Sequence, residues 1–289
     1  MTVTEIIIHG QEQLLDKATL PMLDAEVLLA FLLGKNRAWI IAHGTDIVSI
    51  DHERQYNNLI GRRAAGEPMA YLTGHKEFYG LTFQVDESVL IPRPETEFLI
   101  DETLRIVKDH YGTVNRARIL DIGTGSGCIA LTLAKQLDKQ AQVIATDISA
   151  DALAVAYENM KSLQADVELL HGSLYEPLPD GIAPFDIIIS NPPYLTTEES
   201  ERRTPDTIGL GYEPLSALVA DDAGFALIEQ IIRGAAQWLV PYGFVLLEIG
   251  DAHAEKITQL TAEILPEHTI TIHQDFGRKD RFAVISPKK

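Results

Sequence analysis

From Glu95 onward the chain alternates short apolar runs with longer stretches whose apolar residues recur at helical spacing, and this rhythm restricts the fold more than any other feature. TEFLIDETLRIVKDH (96–110) reads as a helix, ARILDIG (117–123) as a short buried strand and GCIALTLAKQL (127–137) as a helix. QVIATDIS (142–149) is a strand and ADALAVAYENMKSL (150–163) a helix; VELLHGS (167–173) and FDIIIS (185–190) are further strands. Beyond a long loop come a helix over 222–239, a strand in GFVLLEIG (243–250) and a helix from Ala252. Such alternation implies an α/β fold: a parallel sheet with right-handed crossovers and helices on both faces. HTITIHQDF (268–276) and RFAVISP (281–287) are joined by a short turn, so they pair antiparallel and give the sheet a mixed edge. Ligands of such sheets sit beyond the carboxyl ends of the strands, where strand order reverses.

Upstream the character differs. In LDAEVLLAFLLG, Leu28, Leu29, Leu32 and Leu33 recur with a period near 3.6, and Gly34 supplies a stop. DHERQYNNLIGRRAAGEP is a more polar helix ending before Pro68. Residues 1–75 therefore read as a small helical domain, 76–94 as a β-hairpin linker around Gly80 and Asp86, and 95–289 as the main domain. A length of 289 residues, at roughly 150 per domain, agrees with that division.

The formal net charge of −18 weighs against a protein that holds nucleic acid by its own electrostatics, which takes a basic stripe. It names no partner, because acidic surfaces also keep proteins dispersed. The single cysteine, Cys128, excludes an internal disulfide and a cysteine-cluster metal site, and the nine histidines show no ligand-pair spacing, so no metal is expected. The N-terminus lacks the pattern of a signal peptide and no run approaches the ~18 apolar residues of a membrane span, so a cytoplasmic location is expected.

After the first strand of the main domain comes DIGTGSGC, with Gly123, Gly125 and Gly127. Glycines there allow a tight turn and close approach of a ligand to the backbone. Cys128 stands where the dinucleotide fingerprint needs its third glycine, so a pyrophosphate cradle is not favoured, and the turn by itself serves equally as a structural one. The second strand ends at Asp147, about 20 residues beyond the last glycine, where a carboxylate can accept both hydroxyl hydrogens of a ribose. The alternative duty, capping the next helix, falls better to Ser149. Ser173 and Leu174 after the third strand are placed to flank an adenine; no acidic residue stands there, so the adenine contacts stay open. Ribose and adenine without a pyrophosphate fingerprint suggest S-adenosylmethionine, with the glycine turn under its amino-acid part and Asp121 near its ammonium group.

FDIIISNPPYL (185–195) ends a buried strand in Asn191, Pro192, Pro193 and Tyr194. The asparagine oxygen is an acceptor, and proline removes a donor and fixes φ, so the Pro192 carbonyl supplies a second acceptor. Two convergent acceptors suit a planar NH2 group, and Tyr194 adds an aromatic face. An amide nitrogen is a poor nucleophile; holding both N–H bonds aims it at a sulfonium methyl, while a carboxylate would leave the acceptors unpaired. The bland alternative is a rigid strand exit, but Gly123–Gly127 and Asp147 upstream favour function.

Asn191–Tyr194 resembles the motif of methyltransferases acting on planar amino groups. With GEPMAYLTG (66–74), LIPRPETE (90–97), DIGTGSG (121–127) and YEPLSAL (212–218), nearly the whole chain is similar to the HemK/PrmC glutamine methyltransferases of peptide chain release factors. The closing QDFGRKDR departs slightly, at Arg278, with little consequence expected. The resemblance implies a class I S-adenosylmethionine-dependent methyltransferase domain: Rossmann-like, with a mostly parallel seven-stranded sheet and a C-terminal antiparallel hairpin, behind a small N-terminal helical domain. It implies methylation of the glutamine side-chain amide in the Gly-Gly-Gln loop of class I release factors, with S-adenosylhomocysteine as co-product. Asp121, Gly123, Thr124, Gly125, Ser126, Gly127, Asp147, Ile148, Ser173, Leu174 and Asn191 would contact the cofactor. Asn191, Pro192, Pro193 and Tyr194 would hold the glutamine, with Asn191, Pro192 and Tyr194 carrying the catalysis. IPRPETE would frame the pocket, Glu97 dividing between that and capping the next helix, and residues 1–75 would grip the release factor.

Two rivals remain. A nucleic-acid amino-group methyltransferase would also use Asn-Pro-Pro-Tyr, but it needs a basic groove that a chain of charge −18 does not display. A non-catalytic cofactor-binding protein would keep the cofactor residues yet show no turnover.

Overall fold

A parallel strand covered on both faces must be apolar at successive positions, because both alternating sets of side chains are buried. Ile187, Ile188 and Ile189 meet that demand, all three fully buried, with Ile187 and Ile189 in one core and Ile188 in the other. The computed structural model describes residues 1–111, 116–201 and 208–288. These fall into two compact units: Met1–His75 with Glu201–Tyr212, and Lys76–Ser200 with Glu213–Lys289.

The first unit contains α1 (Val3–Leu14), α2 (Pro21–Leu32), α3 (Arg37–Ala42), α4 (Ile50–Ala64) and α5 (Met69–Thr73). Local chemistry sets the starts. Thr2 and Glu5 form a reciprocal capping box on α1, Pro21 opens α2, and Asn36 and Ser49 cap α3 and α4. Leu28 and Leu29 lie in the core with Ile6, Leu14 and Ile60, and Leu32 and Leu33 pack at its edge. Gly34 follows the C-cap of α2 at φ +61°.

The second unit opens within β1 (His75–Phe78), which pairs with β2 (Leu81–Gln84) as a two-stranded sheet. Tyr79 and Gly80 both have positive φ, the requirement of a two-residue primed turn. Residues 76–94, expected as a linker, belong to this unit: Phe78 and Phe83 are buried in its main core, edge to face at 6.1 Å. Then follow α6 (Glu97–His110), β3 (Ala117–Ile122), α7 (Cys128–Leu137), β4 (Ala141–Asp147), α8 (Ala150–Leu163), β5 (Val167–His171) and β6 (Phe185–Ser190). After them come α9 (Thr197–Glu201), α10 (Asp221–Gly224), α11 (Ala226–Trp238), β7 (Leu239–Glu248), α12 (Ala254–Ile264), β8 (His268–Gln274) and β9 (Asp280–Pro287). The loop expected after β6 lies partly outside the described residues.

The larger sheet has seven strands in the order β5-β4-β3-β6-β7-β9-β8 among the described residues. β3 to β7 pair in parallel, whereas β9 is antiparallel to both β7 and β8, as the short terminal turn requires. β7 begins at Leu239, before the expected Gly243, because its pairing with β6 slips between Phe185 and Ile187 and absorbs extra residues.

Candidate active site

Strand register brings the chemistry together. Ile122 pairs with Thr146 on one side and Ser190 on the other, and Ser190 pairs with Leu247. The next residues, Gly123, Asp147, Asn191 and Glu248, therefore stand along one sheet edge where strand order reverses between β3 and β6. A cavity of about 350 Å³ opens there. Gly123, Thr124, Gly125, Ser126, Asp147 and Ile148 line it, as do Ser173, Leu174, Asn191, Pro192 and Pro193. Asp121, Gly127 and Tyr194 are not on its wall.

The glycine turn explains part of that division. Gly123 (φ +72°) and Gly125 (φ +56°) hold conformations costly for other residues, and a Cβ at either meets no protein atom within 4 Å. Gly127 differs: a Cβ there would stand 2.8 Å from Leu131, so this glycine serves the packing of α7. Asp121 lies fully buried, its carboxyl accepting from the Thr124 hydroxyl at 2.6 Å. Burial pushes its pKa up to about 7, against the hydrogen bond from Thr124. Cys128 opens α7 and its thiol is pushed up to about 12, chiefly by burial and then by Asp121, so it is not a nucleophile.

Asp147 links two turns. Oδ2 accepts the Gly125 amide at 2.8 Å and Oδ1 the Ser149 amide at 2.9 Å. Each carboxylate oxygen has a second acceptor position, so capacity for two ligand hydroxyls is left. Ser149 caps α8 through Ala152. The Ser173–Leu174 turn is drawn to β4 by Thr146, whose hydroxyl donates to the Leu174 carbonyl at 3.0 Å. Ile148 and Leu174 give that end of the cavity apolar walls.

Asn191 is anchored from behind. Its Nδ2 donates to Thr96 Oγ1 at 3.3 Å, and Thr96 donates to Glu248 Oε2 at 2.7 Å. With Nδ2 engaged, Asn191 retains Oδ1 for a ligand. Tyr194, expected to offer its ring to a flat group, donates its hydroxyl to Glu248 Oε1 at 2.9 Å and has Arg281 over its ring at 5.5 Å. Burial, reinforced by Glu248, raises the Tyr194 pKa, so the phenol keeps its proton.

Another wall of the cavity comes from the 213–219 segment. Glu213, buried, meets Arg93 at 2.6 Å and accepts the Ile91 amide at 3.1 Å. The Leu195 amide donates to the Leu218 carbonyl at 2.9 Å, and Pro214, Ser216, Ala217 and Val219 line the cavity. Glu97 does neither of its expected jobs: Oε1 accepts the Tyr79 amide at 2.9 Å and pins the β1–β2 turn.

Sequence reasoning missed Asn159 and Glu248; Thr96 lies in the IPRPETE stretch expected to frame the pocket, which lines it through Pro92, Arg93 and Thr96, and Glu213 lies in YEPLSAL, but neither was singled out. Asn159 exchanges hydrogen bonds with the Gln84 backbone and donates to the Ser126 carbonyl, tying the hairpin to the glycine turn. Glu248 carried a legible signal, a carboxylate ending the otherwise apolar run FVLL.

Two family models match, a PrmC N-terminal domain over residues 5–74 and a methyltransferase small domain over residues 98–208. The chain is 43% identical to the release factor glutamine methyltransferase of Bordetella pertussis, over 84% of this chain and 87% of that one. It belongs to the release factor glutamine methyltransferase family. The Salmonella typhimurium member is 40% identical over 82% of both chains. Outside the family, the hMettl16 catalytic domain, solved in complex with a 3′UTR hairpin, shares the methyltransferase fold at a TM-score of 0.55, 18% identity and 90% coverage of both chains.

Proposed function

We infer that this protein transfers a methyl group from S-adenosylmethionine to the side-chain amide nitrogen of a release factor glutamine, the one in the Gly-Gly-Gln loop of class I factors. The observation that carries the reading is the Asn191 side chain on the cavity wall, held by Nδ2 so that Oδ1 is its free end.

The residues present fit the cofactor. Gly123 and Gly125 leave a cradle that any Cβ would fill, Asp147 offers acceptors for ribose hydroxyls, and Ile148 and Leu174 offer apolar contact to a purine. When bound, S-adenosylmethionine supplies an activated methyl on a sulfonium. The chain's own part is positioning. Asn191 Oδ1, with the Pro192 carbonyl, accepts the two amide hydrogens and holds the nitrogen for attack, an orientation effect on the order of 7–11 kcal/mol when geometry is near attack. A glutamate would leave both acceptors unpaired and is rejected. The raised phenol of Tyr194 and the high thiol of Cys128 take no proton. Asp121, buried off the cavity wall, supports the turn rather than touching substrate.

The helical unit, residues 1–75, is assigned to recognition of the release factor away from the reacting glutamine. A nucleic-acid substrate is the poorer reading at a net charge of −18. Incubation with labelled S-adenosylmethionine and a purified release factor, followed by mass-spectrometric mapping, tests the function. Label on the Gly-Gly-Gln glutamine is expected; label on RNA or DNA with none on the factor would overturn it.

A further inference from the structure

Glu248 ends β7 one step beyond the Ser190–Leu247 pair and is buried. Its two oxygens are engaged by different segments, Oε2 by Thr96 at 2.7 Å and Oε1 by Tyr194 at 2.9 Å. Thr96 owns one hydroxyl hydrogen. A carboxylate only accepts, so that hydrogen is committed to Glu248, and Thr96 can meet Asn191 only as an acceptor. Asn191 must then turn Nδ2 toward Thr96 and leave Oδ1 outward.

We propose that Glu248 is a positioning residue for methyl transfer: acting through Thr96, its carboxylate decides which end of the Asn191 amide meets the substrate. This rests on the role given to Asn191 above. The polarity reverses if the group in place of that carboxylate donates to Thr96. The threonine hydrogen then points at Asn191, which accepts through Oδ1 and presents Nδ2 to the cavity. An NH2 facing the substrate NH2 repels a glutamine and suits a glutamate. Selectivity for amide over carboxylate is thus set two side chains behind the point of contact.

The surroundings bear on the charge of Glu248. Arg281 on β9 favours the ionised form, as do the Thr96 and Tyr194 hydroxyls; Glu95 opposes it, and Cys128 of α7 carries no charge. Burial is the largest influence and lifts the pKa above 4.5, so productive orientation is lost on acidification at a pH higher than an exposed glutamate would give.

The test compares Glu248→Gln, Thr96→Val and Thr96→Ser with wild type, using purified release factor and a second factor carrying glutamate at the target position as competitor. Wild-type methylation of the glutamine is the control; its absence sinks the proposed function and not the relay. Given that control, Glu248→Gln and Thr96→Val should each lower kcat about tenfold or more while the cofactor Kd stays within about twofold, and Thr96→Ser should keep most of kcat. Both damaging variants should also lose about tenfold or more of the preference for glutamine over glutamate factor, and the double variant should be no slower than the worse single one. The acid limb of the wild-type pH profile should vanish in Glu248→Gln. Should Glu248→Gln not fold, the Thr96 pair decides alone. Unchanged kcat, or a lowered kcat with selectivity intact, overturns the proposal.

Discussion

The Asp147 carboxylate receives the Gly125 amide at 2.8 Å, which makes the acidic residue after β4 and the glycine turn after β3 a single construction. Under the proposed function, ribose binding and the shape of the glycine turn are therefore coupled. Asp147→Ala should weaken S-adenosylmethionine binding by about 10- to 150-fold, the equivalent of about 1.5–3 kcal/mol for hydrogen bonds to a charged group. Calorimetry reads this directly, and wild-type affinity would remove the ribose assignment.

Asn191→Ala separates chemistry from binding. Loss of the oriented acceptor should lower kcat by about 100-fold or more, in line with removal of a single preorganised polar group at a reacting centre. Cofactor affinity should largely survive, and undiminished turnover would refute the role of Asn191.

Asp121 predicts a stability signature. Its native pKa of about 7 lies above the ordinary 3.8, so the folded protein retains a proton that the unfolded chain has released. That contribution is complete below about pH 4 and is lost as pH rises through 7, at about 1.4 kcal/mol per unit. Asp121→Asn keeps an acceptor for Thr124 and removes the titration. Denaturant curves at pH 4 to 8 should show the variant gaining on wild type by up to about 4 kcal/mol, and parallel profiles would contradict the burial argument.

Arg93→Met leaves Glu213 buried beside the Ile91 amide without its cation. Stranding a buried charge costs about 3–5 kcal/mol; because Arg93 is 32% exposed, solvent reaches the pair and about 1–3 kcal/mol is expected. Faster hydrogen exchange at Ile91 is the local readout, and unaltered exchange would count against the ion pair as the tether of the 213–219 segment.

In the helical unit two effects compete at Gly10. Alanine would gain about 1 kcal/mol of helix propensity in α1. Its Cβ would collide with the Tyr56 hydroxyl and stand 3.1 Å from Ile60 Cδ1, and Tyr56 donates from that hydroxyl to the Ala25 carbonyl. Overpacking of about 1–3 kcal/mol plus a strained hydrogen bond wins, so Gly10→Ala should lower the urea midpoint.

The strand–helix rhythm was legible because periodicity is local: α8 runs over 150–163, the span its apolar spacing indicates, and β6 is marked by three consecutive isoleucines. Asp147 and Asn191 were legible as candidates because polar residues that end buried strands must emerge at the sheet edge. The partner of Tyr194 was not legible: adjacency to Asn191 in sequence says nothing about where a hydroxyl bonds, and the buried carboxylate of Glu248 takes it. Asp121 lies inside β3, one residue before its end, and is buried beneath the turn, where its carboxyl accepts from the Thr124 hydroxyl.

By itself, then, the sequence determined the class of sheet, the sites where chain polarity changes and the residue types offered to a ligand, since all three follow from spacing along the backbone. The tertiary structure alone decided which polar groups share protons. Thr96 and Glu248 are 152 residues apart and become partners only through the pairing of β6 with β7 and the placement of the turn before α6. Hydrogen-bond direction is a property of groups within about 3 Å of one another, and no pattern along the chain encodes that distance.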